Sequence, residues 1–77
     1  MELTKFYEQL KKEMSVYENL TFWKEQLCVS IGTKRPRQCF TMTILKDLIN
    51  LCEKHDWCMC TRHGKLYVWP LDMEDML

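Results

Sequence analysis

Apolar residues recur every three or four positions at the start of the chain: Leu3, Phe6, Tyr7, Leu10, Met14 and Tyr17. Glu8, Lys11, Lys12 and Glu18 fall largely off that stripe. The spacing predicts an amphipathic helix over about 2–17. Asn19 or Thr21 can cap a second helix, about 20–31, with Leu20, Trp23, Leu27 and Ile31 on its apolar side. Gly32-Thr33-Lys34-Arg35-Pro36-Arg37-Gln38 then reads as a loop. Gly32 is placed to stop the second helix in the left-handed region. Pro36 disfavours helix at Arg35. Thr41 or Thr43 can cap a third helix, about 42–56. Its buried stripe is Ile44, Leu45, Leu48, Ile49, Cys52 and His55. Thr43, Lys46, Asp47, Asn50 and Lys54 point mostly the other way.

After Asp56 the period changes from helical to alternating. Trp57-Cys58-Met59-Cys60-Thr61 and Leu66-Tyr67-Val68-Trp69 are rich in strand formers. Arg62-His63-Gly64-Lys65 is a turn, with Gly64 where φ must be positive. This predicts a hairpin over about 57–69, ended by Pro70, followed by an acidic tail, 72–77. Trp57 and Met59 face one way on the first strand, and Cys58 and Cys60 the other. Leu66 and Val68 oppose Tyr67 and Trp69 on the second. Both faces of the ribbon are apolar, and three short helices can cover only one. The other face asks for a protein partner, with a second copy favoured, through Trp57, Met59, Tyr67 and Trp69. Met73, Met76 and Leu77 of the tail could instead fold back over it.

At 77 residues this is one domain, 1–77, of marginal stability. Its 47% hydrophobic and 12% aromatic content is that of a folded chain, not a disordered one. The net charge is zero, but unevenly spread. Residues 31–70 hold seven Lys or Arg against three acids, a balance of +4. Residues 71–77 hold three acids and no base. A basic middle suits a polyanion more than the total does. No apolar run spans a membrane, and the start is not of signal-peptide type. The expected setting is intracellular, in cytoplasm or nucleus, with five reduced cysteines. Lys34-Arg35-Pro36-Arg37 is also similar to a short nuclear-import signal.

Two stretches carry a resemblance. They are Thr41-Met42-Thr43-Ile44-Leu45-Lys46-Asp47-Leu48-Ile49-Asn50-Leu51-Cys52-Glu53-Lys54-His55-Asp56-Trp57 and Arg62-His63-Gly64-Lys65-Leu66-Tyr67-Val68-Trp69-Pro70-Leu71. A capped helix running into a hairpin with a basic, Gly-containing tip resembles the winged helix-turn-helix class of DNA-binding domains. The resemblance implies an α+β fold of three helices followed by a β-hairpin. It implies a regulatory protein that binds DNA or RNA, with helix 42–56 in the major groove. Thr43, Lys46, Asn50 and Lys54 would face the bases, and Arg62, His63 and Lys65 the backbone. Lys34, Arg35 and Arg37 would add phosphate contacts. A homodimer suits a two-fold site. The loop at 32–40 is longer than that class uses, and Asp47 and Glu53 lie among its recognition lysines. The competing expectation is a protein-interaction or adaptor module that uses the apolar hairpin face without nucleic acid. Size and cysteine usage suit a regulator or accessory protein from a virus or mobile element.

Cys52, His55, Cys58 and Cys60, with His63 beyond them, could close a tetrahedral zinc site. Cys52 and His55 also lie on a stripe that wants to be core, and buried cysteine is common there. The leading expectation is no metal and no cofactor. Cys28 and Cys39 complete no second pair. A Cys–His nucleophile could be drawn from the same residues, but no phosphate loop or carboxylate pair accompanies it. No enzyme is expected.

Overall fold

The computed structural model describes residues 2–34 and 40–72. Its elements are α1 (Leu3–Glu13), β1 (Leu20–Lys24), β2 (Val29–Thr33), α2 (Met42–His55), β3 (Trp57–Arg62) and β4 (Lys65–Pro70). The strands form one antiparallel sheet in the order β1-β2-β4-β3. The fold is α+β. Among the described residues it has two helices and four strands, not three helices followed by a hairpin.

The error lies in 20–31. That segment is a β-hairpin, with Leu20 paired to Thr33 and Lys24 to Val29. Leu20, Trp23, Leu27 and Ile31 fit a helical period, but Leu20 and Phe22, and then Val29 and Ile31, also fit alternation. Short runs satisfy both periods, and aromatic and β-branched residues tip the choice to strand. Gly32 lies within β2 at an ordinary φ, so it stops no helix. Without the second helix, the three-helix frame of the winged-helix class is absent from the described residues.

α1 is shorter than expected. It ends at Glu13, and two tight bonds follow, Ser15 N–H to Lys12 O and Tyr17 N–H to Met14 O. α2 starts at Thr41, whose Oγ1 accepts from the Ile44 N–H at 3.3 Å. It stops at Asp56, a left-handed cap at φ 56° whose N–H donates to Cys52 O. His63 and Gly64 both have positive φ, 53° and 77°, so β3 and β4 join through a type I′ turn.

Both helices cover one face of the sheet. Phe6 and Leu10 from α1, with Met14 just past its end, meet Ile44, Leu48 and Cys52 from α2. Below them lie Leu20, Val29, Ile31, Trp57, Leu66 and Val68. The Phe6 ring meets Trp57 edge-on at 4.9 Å, and His55 stacks on the same indole at 4.6 Å. α1 also overlies the outer edge of β1. Tyr7 Oη donates to Phe22 O at 3.4 Å, and Lys24 Nζ donates to Thr4 Oγ1 at 3.2 Å.

Candidate functional site

Alternation along the strands sends every second side chain to the face that no helix covers. The register puts Trp23, Ser30, Tyr67 and Cys60 in one row across all four strands. Cys58 and Trp69 are paired on one side of this row. Thr21, Gly32, Lys65 and Arg62 lie on the other side, toward the β3–β4 turn. No strand carries an acidic residue.

Trp23 is 40% exposed and lies across Gly32. A Cβ on Gly32 would come within 2.9 Å of the indole Cζ3, so only glycine lets the ring lie there undisturbed. Lys65 Nζ stands over the same ring, 4.6 Å from its centre. Ser30, buried beneath the face, donates to Glu25 Oε1 at 2.9 Å. Cys60, Arg62 and Lys65 are exposed, while Tyr67, Trp69 and Cys58 are half-buried. The Trp69 indole N–H is buried and makes no hydrogen bond. Burial first, then the charges of Glu25 and Cys60, push the Cys28 thiol up.

No protein-family model, curated protein or solved structure matches this chain. The site therefore stands on its own geometry.

The expected nucleic-acid residues do not form one surface. Thr43, Lys46, Asn50 and Lys54 are exposed on α2, on the helix side of the molecule. Arg62 and Lys65 are on the opposite, open face, with His63 at the turn between them. Lys34 is exposed just past β2, its N–H donating to Asn19 O. Arg35 and Arg37 lie outside the described residues, as do Cys39 and tail residues 73–77.

The expected partner set also divides. Tyr67 and Trp69 are on the open face. Trp57 is core, and Met59 is half-buried on the helix side. The zinc alternative divides in the same way. Cys52 enters the core, whereas Cys58 and Cys60 lie across the sheet from it. Among the described residues, no three His, Cys, Asp or Glu side chains are grouped to hold a metal ion. Burial first, then Cys58, push the Cys52 thiol up to about 11.

Trp23 and Gly32 were missed as site residues. The signal was present in Thr21-Phe22-Trp23-Lys24, where alternation opposes Trp23 to Phe22 once the run is read as strand.

Proposed function

We propose that the protein is a small nucleic-acid-binding module that takes single strands on the open face of its sheet. One observation supports this above others. Trp23, Tyr67 and Trp69 lie on that face with Arg62 and Lys65 together at its β3–β4 turn end, and the Glu25 carboxylate beside the central row is held by the Ser30 hydroxyl. Unpaired bases stack on aromatic rings, and cations neutralise the phosphates between them. α2 is a poorer surface, because its Lys46 and Lys54 share the helix with Asp47 and Glu53. The role needs no catalysis, and it suits a regulator.

Fluorescence anisotropy of a labelled single strand about 10 nucleotides long tests this reading. Binding at low salt is expected, weakening as salt rises, with a log–log slope of about −1.5 to −2 for two or three phosphates neutralised. Trp23→Ala and Tyr67→Ala should each weaken binding roughly 5- to 100-fold. Asn50→Ala on α2 should not. A single strand that fails to bind at low salt sinks the reading.

A protein partner on the same face is the second reading. What favours it is the uncharged sector at Cys58, Cys60 and Trp69, with its buried, unbonded indole N–H. That reading expects capture of a protein that survives high salt and is lost in Trp69→Ala. Capture that Trp69→Ala leaves intact would exclude it.

A further inference from the structure

Among the described residues β3 is an outer strand of the sheet. The two-residue turn makes Arg62 and Lys65 a hydrogen-bonded pair, and by alternation Cys60–Tyr67 and Cys58–Trp69 as well. The backbone groups of Trp57, Met59 and Thr61 then point away from the sheet. Nothing in Trp57–Thr61 blunts this edge, neither proline nor charge.

Beside the edge runs a largely apolar trough between β3 and α2, where Ile49, Cys52, Trp57, Met59 and Leu71 line it together with the acids Glu53 and Asp56. Ile49 is 46% exposed and Leu71 49%. Ile49 stands level with Met59. It lies seven helical residues before Asp56 and Met59 three strand residues after it, each about 10 Å away at about 1.5 and about 3.3 Å per residue.

We infer that two copies of this chain join edge to edge, β3 antiparallel to β3, about a two-fold axis at Met59. Self-complementarity selects a second copy as the occupant. With Met59 opposite the partner's Met59, Trp57 pairs with the partner's Thr61, and Arg62 meets the partner's Asp56. α2 then runs antiparallel to its counterpart, and Ile49 meets the partner's Ile49 in the trough. Lys46 falls opposite the partner's Glu53. Each charge contact occurs twice, once on either side of the axis. The product is a continuous eight-stranded sheet with the four helices on one side.

Sedimentation over a concentration series, with hydrogen exchange read by NMR, tests the pairing. A strand edge and one trough make a small interface, so reversible dissociation near about micromolar concentration is expected. The Met59 and Thr61 amides should be protected in the dimer and exchange faster on dilution. Met59→Pro removes an edge N–H while leaving the β3–β4 ladder intact, and should weaken association about tenfold or more. Ile49→Lys alters only exposed helix surface and should do the same, which keeps the test sound if the proline variant misfolds. Trp23→Ala should leave the dimer unchanged, so failure of single-strand binding and failure of pairing can be told apart. A monomer at every concentration overturns the inference. So does a dimer whose Met59 and Thr61 amides exchange freely, or one indifferent to Ile49→Lys.

Discussion

Gly32 and Cys52 show how much rests on single side chains in so small a protein. Gly32 leaves room for the Trp23 ring against the strand. In Gly32→Ala the new methyl meets the far end of a flexible side chain, so the ring should move and the fold persist. Tryptophan fluorescence and near-ultraviolet circular dichroism should change, with thermal stability altered by about 1 kcal/mol or less. Cys52 links stability to alkaline pH. Its folded pKa is raised from 9.0 to about 11, so the thiol contributes fully below about 9. That contribution is lost as pH rises through about 11, because the unfolded chain ionises first. Denaturant titration should show a loss of about 1–2 kcal/mol across that window. Cys52→Ala should reduce it. Tyr17 adds a change of the same sign, since its hydrogen bond to Asp47 chiefly raises its pKa, with burial and the carboxylate charge behind it. Cys52→Ala should therefore leave a residual slope, to which Cys28 also contributes and which Tyr17→Phe reduces.

The α2–β3–β4 segment carries explicit punctuation and the β1–β2 hairpin carries little. Thr41 caps α2, Asp56 ends it and Gly64 sits in a turn that needs positive φ. Each has one strong local preference, so the sequence is easy to read there. Thr41→Ala should cost about 1 kcal/mol, seen as a lower denaturant midpoint with an unchanged slope. The β1–β2 turn, 25–28, contains neither Gly nor Pro, and it closes through Glu25 N–H to Cys28 O. Nothing in Glu25-Gln26-Leu27-Cys28 announces a reversal, and five-residue strands are too short for the two periods to separate. The site suffered from the same gap. Alternation in β3 and β4 correctly opposed Tyr67 and Trp69 to Leu66 and Val68. Without β1 and β2, though, the pattern shows the open face only as a ribbon of two strands and does not separate Trp57, which is core, from the residues of that face.

The described residues form two layers, helices over a sheet whose other face they leave bare. α1 ties the layers together by sending Phe6 across to Trp57 on the far strand. Phe6→Ala should cost about 3–5 kcal/mol. In a domain this small that removes most of the stability, so loss of the cooperative thermal transition is expected in calorimetry. The two rims of the sheet are not alike. β1 is roofed by α1, through Tyr7 on the Phe22 carbonyl and Lys24 on Thr4. β3 is open. A sheet with two open rims can add copies without end and grow into a fibre. With one rim closed, the pairing proposed above would leave an open rim only another open rim as its mate, and growth would stop at two. In the edge-to-edge pairing proposed above, the Tyr7 hydroxyl on the Phe22 carbonyl would act as a limit on polymer length.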